Sequence, residues 1–293
     1  MQNDRIQKIA KEVIQFEINA LNNLKNSINL SLSKVVKLIL NCKQGKVIIS
    51  GVGKSGIIAR KWAATFSSTG TPSFFLDATN ASHGDMGQIT SNDVVILISN
   101  SGQSDELKNI IQYTSRNKNI NLIGVTSKKD SVLYKNSNVT FQMPPIKEAG
   151  PENIVPTSST SAQLALGDAI AIACMRYKNF TKLDFKKIHP SGNLSIKLKT
   201  VSDLMISGKK LPIVSENMKM KKALSIITKK GLGVLIIKKK NGNTTGIITD
   251  GDFKRIAQKY SNFENLDLKK IMKKNPITVN KDTLAASALS LMN

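Results

Sequence analysis

Between residues 47 and 142 the chain repeats one pattern: a short apolar run, a stop in turn residues, then a longer stretch with helical spacing. The apolar runs are Val47-Ile48-Ile49, residues 73–76, Val94–Ile98, residues 121–125 and Val139–Gln142. Each is too short for a helix and is bounded by turn residues, as buried strands are. Helical stretches occupy about 55–68, 103–116 and 157–178, and two more helices read across 5–42, the second starting near Ser31. Strands separated by helices imply crossover connections and a parallel sheet with helices on both faces. The expected class is α/β, with a parallel five-stranded sheet flanked by helices. Such sheets bind ligands at the carboxyl ends of their strands. The functional loops are therefore expected after Ile49, Leu76, Ile98 and Gln142.

The texture changes near residue 200. Residues 201–223 and 268–288 share an order of motifs: Asp-Leu-Met or Lys-Ile-Met, a proline before an apolar pair, then an Ala-Leu-Ser helix. Met205 pairs with Met272, and Ala223-Leu224-Ser225 with Ala288-Leu289-Ser290, at a spacing of about 65 residues. A repeated small module follows from that self-similarity. The first copy is complete and includes Val234–Ile237 and the segment Gly246 to Asp252, whereas the second stops at Asn293 within its first helix. The chain accordingly divides into 1–200, 201–262 and an incomplete 263–293.

The net charge of +23 suggests a polyanionic partner, but its distribution argues otherwise. Nearly all the excess is lysine spread along the chain, and aromatics make up only 5%. Nucleic-acid sites rely on arginine forks and interleaved aromatics, and no such cluster occurs. No nucleic-acid partner is expected, although a positive field assists the arrival of a small anion. Cys42 and Cys174 are too few for a disulfide framework. With only His83 and His189 as further soft ligands, a zinc site is not expected either. The N-terminal segment alternates Asp4 and Glu12 with lysines and with Ile6, Ile9, Val13 and Ile14, which reads as an amphipathic helix rather than a signal peptide. No stretch reaches the ~18–20 apolar residues of a membrane span. The chain reads as soluble and cytoplasmic, with no membrane partner.

Two loops carry the chemistry. Gly51-Val52-Gly53-Lys54-Ser55-Gly56 follows a strand and opens a helix. A P-loop is excluded, because the glycine that it needs six residues before its lysine is Ile48. A dinucleotide loop has the right spacing, G-x-G-x-x-G, with Asp77 about 20 residues on. A helix N-terminus holding a small phosphate through N–H groups, Ser55 and Lys54 fits as well. The second loop, Ser99-Asn100-Ser101-Gly102-Gln103-Ser104, separates these two. It follows the strongest strand, and its hydroxyls and amide can wrap a phosphate's oxygens. A dinucleotide has no need of it. Two anion devices at two strand ends favour the small phosphate.

These residues also carry a resemblance. The paired loops resemble the sugar isomerase (SIS) domain, and residues 50–60, 63–75, 81–87 and 99–106 are similar to D-arabinose 5-phosphate isomerases. So are Lys147-Glu148, residues 156–160 and His189-Pro190. The likeness extends over about residues 1–290, and the tail resembles paired CBS modules. It implies interconversion of D-ribulose 5-phosphate and D-arabinose 5-phosphate without a cofactor, the entry to the Kdo sugar of lipopolysaccharide. The family's functional quartet falls on Lys54, Glu106, Glu148 and His189, and its phosphate contacts on Ser55, Ser99, Asn100, Ser101 and Ser104. Sugar-binding positions match Gly70, Thr71 and His83. Thr249 and Asp252 match CBS positions that hold a nucleotide's ribose, the alternative being a module used only for packing or assembly. Family members are oligomeric, with a homotetramer implied, so His189 acts in its own site or in a neighbouring subunit's. A family histidine that binds an inhibitory zinc is Asp77 here, so no metal site is carried over.

The reaction asks for these residue types. A base moves a proton between adjacent carbons through an enediol, an acid shuttles protons between the two oxygens, and a cation steadies the enediolate. Glu148, after the last strand, is the expected base, with its pKa lifted by burial. Without the resemblance, Glu148 reads as a solvated loop residue and Glu106 as a complement to a helix dipole worth under ~1 kcal/mol. An isolated loop histidine such as His189 is commonly incidental, but proton transfer suits it. Two other classes remain open: a nicotinamide-dependent dehydrogenase using residues 51–56 and Asp77, and a non-catalytic sugar-phosphate sensor.

Overall fold

The computed structural model describes residues 2–189, 198–239 and 241–292. These fall into two compact units, 1–190 and 191–293. The division lies ahead of residue 200 because Lys199, Val201 and Ser202 hydrogen-bond to residues 281–285 of the tail. Pro190 of the His-Pro pair lies outside the described residues.

The first unit opens with helices α1 (Gln2–Ser27) and α2 (Leu30–Asn41). Strands β1 (Val47–Gly51), β2 (Ser73–Phe75), β3 (Val94–Ile98), β4 (Asn121–Thr126) and β5 (Val139–Gln142) follow. All pair in parallel, in the order β2-β1-β3-β4-β5. The connecting helices are α3 (Gly53–Ser68), α4 (Ala78–Ala81), α5 (Asp105–Arg116) and α6 (Val132–Asn136). Helices α7 (Ser158–Tyr177) and α8 (Lys182–Ile188) close the unit.

Apolar side chains leave the sheet on both faces, which is why the strands read as unbroken apolar runs. Ile49, Ile96, Ile98, Val125 and Phe141 pack on one side against Trp62 and Phe66 of α3 and Leu166 and Ile170 of α7. Ile48, Val95, Leu97 and Leu122 pack on the other against Leu107, Ile110 and Leu133. Gly167 lies directly on the Trp62 indole, whose N–H donates to Gln163 O at 2.9 Å. This close approach locks α3 to α7.

The second unit is a four-stranded sheet, β6 (Ile213–Ser215), β7 (Val234–Lys238), β8 (Thr244–Thr249) and β9 (Lys273–Lys274), in that order. Strands β7 and β8 are antiparallel, as the short loop between them requires. Helices Met220–Lys230 and Asp250–Lys259 cover a core of Val214, Ala223, Leu235, Ile237, Ile248 and Phe253. Residues from beyond 262 join this same body. Leu268 is fully buried in its core, and β9 pairs with β8. Among the described residues no helix is long and apolar enough to cross a membrane.

Candidate active site

The strand order decides where the two loops meet. The chain passes from β1 outward to β2 and then returns to the other side of β1 as β3. The crevice between β1 and β3 is thus the switch point of the sheet, where ligands bind in open parallel sheets. The register pairs Gly51 with Ile98, so residues 51–56 and 99–104 leave adjacent strand ends. Glycine is required at 51, because a Cβ there would stand 2.9 Å from Ile98 O and from Ser55 backbone atoms. Helix α3 then starts at Gly53 behind Val52, which offers no side-chain cap. Uncapped N–H groups in a first turn favour an anion. Lys54 is exposed there, and Ser55 is half-buried with its hydroxyl 3.3 Å from Gln163 Oε1 of α7.

The second loop is internally braced. Ser99 is buried, its hydroxyl lies 3.0 Å from that of Ser104, and it accepts from Gly102 N at 3.0 Å. Ser101 Oγ accepts from Gln103 N at 3.3 Å, and Asn100 O accepts from the Ser127 hydroxyl at 2.8 Å. Gly102 has φ +63, and a Cβ there would strike Ser131 Oγ at 2.3 Å. The side chains of Asn100 and Ser101 remain exposed at the mouth of the crevice. Glu106 is exposed in the first turn of α5. His83 is exposed beside Ser82, whose hydroxyl accepts from Asn109 Nδ2 of α5 at 2.9 Å. That bond ties the His83 segment to the helix one turn beyond Glu106.

Glu148 reaches this end of the sheet by a different route from the one expected. It follows β5, but β5 is the edge strand, separated from β3 by β4. Helix α7 carries the carboxylate back toward α3. Glu148 Oε2 accepts from Thr157 N at 2.8 Å, Ser159 N at 3.1 Å and the Thr157 hydroxyl at 3.3 Å, while Gln163, one turn on, meets Ser55. Its acidity also differs from expectation. Burial is the largest single influence and pushes the pKa up, but hydrogen bonds from the Ser159 and Thr157 side chains and main-chain N–H groups outweigh it. The net direction is below the ordinary carboxylate value, because these donors favour the charged form. Glu148 is therefore a buried, ionised carboxylate at the N-terminus of α7. At the end of β1 and the start of α7, the Ser50 and Ser158 hydroxyls are buried with no partner among the described residues. Such groups are uncommon, since buried polar atoms are generally hydrogen-bonded.

The remaining expected residues lie elsewhere. Gly70 and Thr71 precede β2 and so sit at the amino edge, opposite the two loops within the protomer. There Lys178 Nζ donates to Thr71 Oγ1 at 2.9 Å and Gly70 O at 3.2 Å, and the Phe180 ring leaves no room for a Cβ at Gly70. Burial lowers the Lys178 pKa. His189 ends α8 stacked on Phe185, with ring centroids 3.7 Å apart and Nδ1 2.9 Å from Phe185 O. Asp77 accepts from Thr79 N and Asn80 N as the cap of α4, so its carboxylate is engaged in the fold rather than left for a ribose. Thr249 and Asp252 form a reciprocal capping box, and Asp252 also pairs with Arg255. Sequence reasoning assigned no role to Asn153, Thr157, Ser159 and Gln163. For Thr157 and Ser159 the signal was the cluster of hydroxyl residues opening a helix just after Glu148, whereas Asn153 and Gln163 carried none.

Comparison with known proteins agrees with this architecture. The SIS domain family matches residues 39–173, and the CBS domain family matches residues 201–259. The arabinose 5-phosphate isomerase KdsD of Francisella tularensis is 43% identical over 286 residues, 97% of this chain and 87% of that protein. The chain belongs to the arabinose 5-phosphate isomerase family. The family's KdsD from Yersinia pestis is 40% identical over 287 residues, 98% of this chain and 87% of its own length. An Escherichia coli protein solved in complex with arabinose 5-phosphate is 39% identical, with a TM-score of 0.62, and covers 65% of this chain and 100% of its own. The arabinose 5-phosphate isomerase family thus accounts for both units, the SIS sheet and the CBS tail.

Proposed function

We propose that this chain interconverts D-ribulose 5-phosphate and D-arabinose 5-phosphate through an enediol, with Glu148 as the base. One observation carries the reading: an ionised, buried carboxylate is fixed on α7, whose next turn touches the phosphate loop through Gln163 and Ser55. In this reading the loops 51–56 and 99–104 hold the 5-phosphate, with Ser55, Ser99, Asn100, Ser101 and Ser104 as contacts. Lys54 and Glu106, at the first turns of α3 and α5, then steady the enediolate and relay protons. His83 lies on the same side of the sheet. The reaction needs no cofactor, since electrons stay within the sugar while a proton moves between C2 and C1. Solvent deuterium incorporation into ribulose 5-phosphate, followed by NMR of the product, tests the proposal. Exchange without arabinose 5-phosphate would redirect the stereochemical assignment, and no exchange would end the enediol reading.

The finer assignments are part of the same proposal: a cytoplasmic enzyme, supplying the Kdo branch of lipopolysaccharide synthesis, working as a homotetramer. Helix α1 supports assembly, since Ile6, Ile9, Ile14, Ile18 and Leu21 are all exposed along it. An assembly also offers His189, Gly70 and Thr71 a route to another copy's carboxyl edge. Light scattering coupled to gel filtration reads the assembly state, and a monomer would remove that route.

A further inference from the structure

The segment that presents Glu148 is more constrained than a connection needs. After Glu148 the chain turns through Glu152 (φ 55) and Asn153 (φ 61), two successive non-glycine residues in the left-handed region. That conformation costs on the order of 1 kcal/mol or more per residue, and persists where the surroundings over-determine it. Here it brings Asn153 Oδ1 onto the main-chain N–H of Glu148. The Thr157 hydroxyl bridges the other side: it accepts from Ala149 N at 3.0 Å and donates to Glu148 Oε2 at 3.3 Å. Thr157 stands at the N-cap of α7, yet its own side chain caps nothing in that helix. The Glu148 carboxylate takes that place instead.

We propose that Thr157 and Asn153 are positioning residues that hold Glu148 with Oε2 committed to the helix, making Oε1 the oxygen that receives the substrate's proton. The proposal rests on the reading of Glu148 as the base. Two main-chain N–H groups point at Oε2 and cannot rotate away, so a proton on that oxygen would face two donors. A proton on Oε1 faces neither of these two main-chain donors. The clamp therefore fixes which oxygen reacts as well as where the carboxylate stands. Held rotamers and oriented ligands are what a proton transfer at carbon needs, because small misplacements lose large factors in rate.

The test uses the full chain with Thr157→Val, Thr157→Ser and Glu148→Gln, measuring kcat, KM, solvent-deuterium exchange and melting temperature. Thr157→Val keeps the main-chain donor and loses only the hydroxyl. Its kcat and exchange rate should fall about tenfold with KM unchanged, the size expected from one lost hydrogen bond to a charged group. Thr157→Ser should restore kcat to within about twofold, as the hydroxyl returns. Wild-type kcat in Thr157→Val, or a loss that Thr157→Ser does not recover, overturns the proposal. Wild-type turnover in Glu148→Gln instead overturns the base assignment itself, so the two failures are distinct. If Thr157→Val does not fold, Asn153→Gly replaces it. Glycine tolerates the positive φ, so melting should hold while kcat falls, and an unchanged kcat refutes the clamp.

Discussion

Replacing Gly167 with alanine probes the contact that seats α7, whose first turn holds the Glu148 carboxylate, against α3. In an exposed helix this change stabilises by about 0.5–1 kcal/mol, since alanine has the better helix propensity. Here the new Cβ would stand 2.1 Å from Trp62 Nε1, 2.2 Å from Cε2 and 2.4 Å from Cδ1. Ordinary carbon contacts lie at about 3.5–4.0 Å, so the helices must part by more than ~1 Å or the indole must move. The indole is fully buried and its N–H is held by Gln163 O, so rotation forfeits a hydrogen bond worth about 1 kcal/mol. Overpacking adds about 1–3 kcal/mol. Set against the propensity gain, the net loss is about 1–3 kcal/mol. For a unit of this size that lowers the melting temperature by roughly 3–10 °C. Because Ser55 meets Gln163 across the same contact, KM for the sugar phosphate should rise together with the instability. Thermal unfolding by circular dichroism and steady-state kinetics on the full chain provide the assay. Gly87→Ala is the control, as nothing lies within 4 Å of a Cβ there. A Gly167→Ala protein that melts at or above the wild-type temperature would refute the packing argument.

Glu148→Gln should lower kcat by about 10²–10⁴ while phosphate binding persists, because the amide can neither take nor return a proton. Competition by inorganic phosphate separates the two effects. The lowered pKa of Glu148 has a definite pH signature. Its stabilising effect is fully present above the ordinary carboxylate pKa and is lost as pH falls through the lower, folded value. Acid melting curves of wild type and Glu148→Gln should therefore converge only below about pH 4.5. Any acid-side loss of kcat above that pH must then arise from another group, a point that a pH–rate profile checks. In the tail, Thr249→Ala removes one half of a capping box and should destabilise that unit by about 1 kcal/mol, read as an earlier unfolding transition.

The elements were legible in the sequence because their cause is local. Strands β1 and β3 announce themselves as apolar runs, and the turns after them by glycine and serine. Helices α3 and α7 follow from continuous stretches without proline. The two loops at 51–56 and 99–104 could be named for the same reason, whereas Thr157 and Ser159 at the start of α7 received no role. The expectation for Glu148 went astray on its acidity, since burial was visible in outline but the donors of Thr157 and Ser159 were not. A pKa depends on the balance of desolvation against hydrogen bonds, and those partners are set by how the chain returns after Pro151.

Residue order alone is enough for the alternation of strands and helices, the position of the loops along the chain and the change to a second module. The order β2-β1-β3-β4-β5 emerges only when the chain packs, and it puts both loops at one crevice while sending Gly70 and Thr71 to the opposite edge. Packing likewise seats α7 through Gly167 on Trp62, so that the helix whose first turn holds the Glu148 carboxylate also meets Ser55, through Gln163. The difference is one of range. Apolar period and turn chemistry act over a few residues, whereas strand order, helix contact and carboxylate ionisation are sums over partners far apart in the chain.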